Sequence, residues 1–527
     1  MNQPEQDRSM LFDLIASLAA AATLLQISSP TLHGAMIVQG LTGPATAAEI
    51  SSFKNFMLGQ SPPTTNTYNN NMADGTDGMN AEALGIMYEL KNDRALLDCM
   101  IQYADAFLAL RNDINSGQIM WSGKREPVWL TKAANSAQAG YAGCENNDIA
   151  GHIAYCARLI LQTPTLWRSN VGVGDPHGYG SNYLQRCHTY VEQMDFTQDA
   201  YMLKWFINPA NYWIVAPTNA AWLAENQSVT AYNRQMMFLN GFQRLSECHQ
   251  LLGDDPTRVA KYDAIVQAAV NTFLSGLRPY TTNGITVYDW GYAPGSRGSE
   301  NMTLHSTYDI WGMTRAWANG RYGLTNATMV PFANTLQHVV NVSSNHVSYY
   351  VNGKSSPNNP RNFIYPGWLP IANFGPCTFP IMANMDIAHG SQASTAIFDA
   401  FILSVKNSRY LGIYPATCDG PDFFLSTPWV QALVPGSNLN CAVTINALGG
   451  FTNRVNLSLS RVPDGVRASL DPSTIDGGSG ITTLTLRISE TSSNSVYSFA
   501  NALLITGTSA SGTRIVPVTL VVRSSPK

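Results

Sequence analysis

The sequence predicts a mainly α protein in two parts: an (α/α) toroid of about six or seven helical hairpins over residues 1–427, then a small β-sandwich over residues 428–527. Three observations predict it. The 527 residues exceed what one compact core supports, since single cores stop growing near about 250–300 residues. From residue 10 to about residue 425, apolar residues recur at three- and four-residue spacing, broken by Gly, Pro and Asn clusters. After Pro428 the texture changes to short alternating runs rich in Val, Leu, Thr and Ser.

Met10–Ile27 is an apolar run interrupted by Asp13 and preceded by Glu5, Asp7 and a single Arg8. It predicts a helix rather than a signal peptide, which needs a positively charged lead. Helices follow at Ala81–Leu90, Arg94–Arg111, Ile149–Leu161, Tyr183–Phe206, Ala231–Leu252, Arg258–Leu277 and Leu304–Ala318, among about fourteen in all. Short links such as Gly253-Asp254-Asp255-Pro256 imply antiparallel neighbours, hence a ring or superhelix of hairpins. Beyond the linker Val434-Pro435-Gly436-Ser437, strands are expected at Asn440–Ala447, Val455–Leu459, Thr482–Ile488, Ala500–Gly507 and Arg514–Val522. With Gly449-Gly450-Phe451, Val462-Pro463-Asp464-Gly465-Val466 and a last strand carrying Val516, Val518, Leu520 and Val522 on one face, this part resembles the immunoglobulin-like modules of exported microbial proteins. It is expected to be a spacer or stabilising module, with Phe451, Tyr497 and Phe499 as its aromatic candidates for sugar contact.

Composition narrows the function. Thirty-one basic against thirty-five acidic residues give a net charge of −4, which offers no footprint for nucleic acid. Interrupted apolar runs argue against membrane insertion. Only 13% of residues are charged, with Asn, Ser, Thr, Gly and Tyr in their place, a balance that suits a secreted or periplasmic protein. Eight cysteines show neither CxxC nor paired His/Cys spacing, so no metal or cofactor is expected.

Three segments carry chemistry. In Cys144-Glu145-Asn146-Asn147-Asp148-Ile149-Ala150-Gly151-His152, carboxylates, amides and an imidazole cluster at a helix start, where Asn147 or Asp148 is also a natural cap. In Glu300-Asn301-Met302-Thr303-Leu304-His305-Ser306-Thr307-Tyr308-Asp309, the residues Asn301, His305 and Asp309 recur at helical spacing, so one face would present three polar groups. The third segment, Pro360-Arg361-Asn362-Phe363-Ile364-Tyr365-Pro366-Gly367-Trp368, sits in a Pro/Gly-bounded loop. Arg361 can grip a carboxylate, Trp368 can stack on a sugar ring and Tyr365 can pass a proton. Together with Tyr349-Tyr350, Trp121, Trp129, Trp213 and Trp222 these suggest an aromatic groove.

On these motifs the chain resembles the helical-toroid polysaccharide lyases, most of all polysaccharide lyase family thirty-eight. The resemblance implies cleavage of a glucuronan- or alginate-type polymer. It assigns proton transfer to His305 and Tyr365, and uronate binding to Asn146 or Asn147, Glu300 and Arg361, with no metal. The residue types suit β-elimination at a 4-linked uronate. The C6 carboxylate must be neutralised by Asn, Arg or a protonated Glu before the C5 proton can be taken, and an acid must protonate the departing O4. Two rivals stand beside it: an inverting glycoside hydrolase using two of Glu145, Asp148, Glu300 and Asp309, and a non-catalytic glycan-binding protein.

Overall fold

The computed structural model describes residues 38–523, apart from 116, 137, 224–229, 344–345, 356–363, 390–394, 418–419 and 491–494. The expected helix Met10–Ile27 therefore lies outside the described residues, as does Arg361. The described part is rich in helix up to residue 411 and strand-built after residue 421, with thirteen α-helices in the first region.

In chain order they are α1 (Ala47–Leu58), α2 (Thr76–Lys91), α3 (Arg94–Ala109), α4 (Asn147–Leu161), α5 (Tyr183–Thr197), the short α6 (Leu203–Phe206) and α7 (Ala220–Leu223), α8 (Tyr232–Leu252), α9 (Pro256–Ser275), α10 (Leu304–Asn319), α11 (Asn326–Thr335), α12 (Thr378–His389) and α13 (Thr395–Leu411). Their starts follow from local chemistry. Thr46 with Glu49 and Asn182 with Gln185 form reciprocal capping boxes, and Asp255 caps α9 ahead of Pro256 in its first turn. Helices α8 and α10 stop at Gly253 and Gly320, whose φ values of +66° and +77° suit glycine.

Packing pairs α2 with α3 and α4, α4 with α5 and α8, and α8 with α9 and α10. The 3₁₀ segment Pro366–Asn373 lies against α10, α12 and α13, and α13 lies against α2 and α1. A buried Lys406–Glu49 pair at 2.8 Å ties α13 to α1. Among the described residues, no helix is long and apolar enough to cross a membrane.

Two details differ from the sequence reading. The single helix expected over Tyr183–Phe206 is opened by a π-turn at Gln198–Met202, which turns buried Gln198 toward Asn147. A hairpin, β1 (Arg278–Thr282) with β2 (Ile285–Asp289), interrupts the helical region and leads directly to Trp290 and Tyr292. A second small pair joins β3 (Asn341–Ser343) to β4 (His346–Val347).

The strand region comprises β5 (Asp422–Ser426), β6 (Val430–Leu433), β7 (Asn438–Leu448), β8 (Val455–Ser460), β9 (Val466–Asp471), β10 (Thr474–Ile475), β11 (Gly480–Ile488), β12 (Ser495–Tyr497), β13 (Leu503–Ser509) and β14 (Gly512–Val522). One sheet runs β5-β7-β11-β9; the other runs β10-β8-β13-β14-β12, with β6 parallel to β14. Alternating residues of both, such as Val443, Leu484, Leu503 and Leu520, share one apolar core. The first strand starts before residue 428, because Asp422–Ser426 pairs with β7. The expected aromatic contacts for sugar face inward instead: Phe451 is buried against Phe423, and Phe499 packs edge-on against Tyr88 of α2. Ser498 donates to the Gln162 carbonyl at the end of α4, so the strand region is seated on the C-terminal ends of these helices.

Candidate active site

The N-terminal ends of α2, α4, α8 and α10 supply the cluster. Helix N-termini carry unsatisfied amides and positive dipole ends, which favour carboxylates nearby.

His305 stands in the first turn of α10, capped by Thr303, whose Oγ1 accepts from the His305 amide at 3.2 Å. Its side chain is 37% exposed, the one reactive group of this turn that solvent reaches freely. Nδ1 lies 3.2 Å from Asn301 Nδ2 and 3.6 Å from Glu300 Oε1, and the ring packs on Tyr292 with centroids 5.0 Å apart. Those contacts fix the ring through Nδ1 and leave Nε2 for a substrate. Glu300 is buried; its Oε1 accepts from the Asn301 amide at 2.7 Å, while Oε2 has no protein partner.

The expected Asn301, His305, Asp309 stripe is corrected in one respect. Asn301 precedes the helix and pairs with Tyr350 as an isolated bridge, so it reaches His305 from the preceding turn. Asp309 does not orient His305: its Oδ2 accepts from Trp290 Nε1 at 2.9 Å. Burial, then the charge of Glu300, pushes Asp309 well above the ordinary carboxyl range.

Across the mouth, the 3₁₀ turn Cys144–Asn146 delivers Glu145, Asn146, Asn147 and Asp148, all buried. The capping expectation fails, since no side chain there caps α4. Asn146 Nδ2 donates to Thr131 Oγ1 at 2.7 Å. The Asn147 amide is committed at both ends, donating to the Phe238 carbonyl at 2.7 Å and accepting from Gln198 at 2.6 Å. Asp148 accepts from Asn240 at 2.8 Å, and burial raises its pKa. A Cβ at position 143 would fall 2.1 Å from Glu145 Oε2, so any side chain there would push the Glu145 carboxylate out of its place. His152 is a buried structural residue, held by Glu82 at 3.2 Å and by the Ala73 carbonyl at 3.0 Å.

Three groups escaped the sequence reading. Asp74, just before α2, is partly exposed, and burial together with the charges of Asp148 and Glu145 lifts its pKa to about 7. Arg234, in the first turn of α8, is held firmly charged by Glu145, and Tyr292 lies within the same field. Asp74 and Arg234 sit far in sequence from the motifs they join, whereas Tyr292 lies just before the Glu300–Asp309 segment it packs on.

The third segment divides. Trp368 is corrected as a sugar platform: it is fully buried, donates from Nε1 to Ser306 Oγ at 3.3 Å and packs 6.2 Å from Trp290. That bond anchors the 3₁₀ segment beside His305's own turn. Tyr365, at the start of the segment, is partly exposed and has Phe398 as a ring neighbour at 6.5 Å. Of the expected groove aromatics, Trp121, Trp129 and Trp222 are core residues, while Trp213 is 59% exposed.

No family model matches this chain, and no curated protein is significantly similar to it.

Proposed function

We propose that this protein is a polysaccharide lyase cleaving a 4-linked uronate polymer of the glucuronan or alginate type by β-elimination. The observation that carries the reading is the half-exposed His305 imidazole, fixed through Nδ1 by Asn301 and Glu300 and flanked by the Tyr292 phenol. Because the Asn301 amide nitrogen donates to Nδ1, the neutral ring carries its proton on Nε2, so the Tyr365 phenolate removes the C5 proton and His305 Nε2–H protonates the departing O4; Tyr292 positions the imidazole. Arg234 and one of Asn146 and Asn147 receive the C6 carboxylate; Arg361, which lies outside the described residues, is the further cation that the resemblance implies, and the converging helix N-termini favour the same anion. The two amides compete evenly for this role: Asn146 Nδ2 donates to Thr131 Oγ1 and the Gly143 carbonyl, and Asn147 donates to the Phe238 carbonyl and accepts from Gln198.

The packing order α2, α4, α8, α10, Pro366–Asn373, α13 and back to α2 supports a closed (α/α) toroid around this mouth. A disulfide on Cys377 supports an exported home, although six other described cysteines are free.

One observation favours a second reading. Asp74, whose pKa burial and the charges of Asp148 and Glu145 lift to about 7, has the raised value that the general acid of an inverting glycoside hydrolase needs. Ultraviolet absorbance separates the two, because elimination creates a conjugated C4–C5 double bond and hydrolysis does not. On a panel of glucuronan, polymannuronate, polyguluronate and neutral glucans, the lyase gives absorbance on a uronan, lost in Tyr365→Phe and reduced less in Tyr292→Phe. Reducing ends without absorbance, lost in Asp74→Asn, would replace the lyase with the hydrolase.

A further inference from the structure

The C-terminal halves of the same helices enclose a second cavity, of about 310 Å³, between the helical region and the strand region. Arg158 of α4, Arg244 of α8 and Arg315 of α10 line it, with Glu82, Glu89, Glu247 and Trp429. Trp429 comes from the link between β5 and β6, held by the Thr519 amide donating to its carbonyl at 2.8 Å. The strand region thus contributes a wall of this cavity.

Its hydrogen bonds are unevenly satisfied. Most glutamate oxygens are engaged: Glu82 accepts from Arg244 at 3.2 Å and contacts His152 at 3.2 Å, Glu247 accepts from Arg158 at 3.2 Å and Asn319 at 3.0 Å, and Glu89 accepts from Arg158 through Oε1. Four buried donors on lining residues have no protein acceptor: Nε of Arg158, Arg244 and Arg315, and Nε1 of Trp429. Arg158 and Arg244 are only 7% and 6% exposed, so bulk water does not serve these nitrogens freely. Buried unpaired donors are rare because each forfeits its hydration without replacement. Three arginines face three glutamates, and their pairing is uneven. Arg158 and Arg244 each have carboxylate partners, whereas Arg315 has no ion pair among the described residues and donates only to the Met236 carbonyl at 3.4 Å. Aromatic faces hold the guanidiniums in place: Tyr155 lies under Arg244 at 3.8 Å, and Trp429 under Arg158 at 5.0 Å.

Four unmet donors and a guanidinium with, among the described residues, no carboxylate in ion-pair contact together call for one chemistry. We infer that this cavity is a binding site for a small oxyanion, a carboxylate or phosphate group on a ligand no larger than a monosaccharide, and that the strand region completes it through Trp429. This assignment does not depend on the reaction at the N-terminal mouth.

The test is titration calorimetry with inorganic phosphate, glucuronate and glucose at matched ionic strength, paired with thermal unfolding. Phosphate or glucuronate binds and raises the unfolding temperature, and glucose does not; the stronger of the two anions identifies the source. Losing one donor to a charged acceptor weakens binding about tenfold or more. Trp429→Phe and Arg315→Gln each show that loss, whereas binding at the other mouth responds to neither. Arg315→Gln is the safer variant, since that side chain makes one long hydrogen bond, and it decides the matter if Trp429→Phe does not fold. Absence of binding by both anions, or affinity unchanged in Arg315→Gln, overturns the site and leaves water as the partner of these donors.

Discussion

Taken together, helices α2, α4, α8 and α10 and the turns before them place acidic residues toward both ends of the group, and the two ends treat them oppositely. At the N-terminal mouth, Asp74, Asp148 and Asp309 have few cationic partners, and burial raises all three. In the C-terminal half burial again pushes upward, yet His152 and Arg244 pull Glu82 down to about 2, and Arg158 and Arg244 hold Glu247 below its usual value. Carboxylates alike in burial therefore differ because of what faces them. A paired carboxylate holds helices together; an unpaired one with a raised pKa is available for proton transfer and is a destabilising feature that function must justify.

The comparison breaks most visibly at His305. His305→Ala removes the proposed general acid and is expected to slow turnover by about 10²–10⁴-fold, measured as the initial rate of absorbance on the cleaved uronan. The half-exposed side chain has little packing to lose, so the unfolding temperature should stay near that of the parent. A rate within tenfold of the parent would remove His305 from the chemistry. At the other end, Glu247→Ala takes one carboxylate from two buried guanidiniums, and a loss of about 3 kcal/mol is expected in urea unfolding. Its effect on turnover should be small beside that of His305→Ala. Were Glu247→Ala to lower activity without lowering stability, the division of labour between the ends would be wrong.

Much of this contrast follows from local sequence, and part of it cannot. The helices were legible because apolar spacing and caps such as Asp255-Pro256 act within a few residues. The β1–β2 hairpin carried a signal that could have found it: Asn283-Gly284, with φ of +49° and +77°, between alternating residues ending in Ile285-Thr286-Val287-Tyr288. His305 and Glu300 were legible as polar groups crowding a helix entry. Asp74 and Arg234 were not, because the fold joins them to Glu145 across more than fifty residues, and nothing local distinguishes them. Trp368 misled for the opposite reason. A Pro/Gly-bounded loop usually faces solvent, but here it folds into a 3₁₀ segment pressed against α10.

The smallest expected effect is the sharpest test of the contrast, because the two ends should respond to pH with opposite sign. Asp74 titrates near 7 when folded and near 3.8 at its ordinary value, so the folded chain holds a proton that the unfolded chain has released. Its contribution is neutral below about pH 4 and becomes a cost as pH rises toward 7. Glu82 is depressed to about 2 from 4.5, so its stabilisation is full above about pH 4.5 and is lost as pH falls toward 2. Between these windows the two ends leave stability greatest in mildly acidic solution, with separate limbs on either side. Asp74→Asn should flatten the upper limb alone, gaining about 1–2 kcal/mol at pH 8 after allowance for partial exposure, and progressively less toward pH 4. Urea unfolding across pH 3–8 on the parent and this variant measures it. An upper limb unchanged by Asp74→Asn would mean that the mouth carries no buried charge of consequence, and the acid beside Asp148 and Glu145 would lose its special standing.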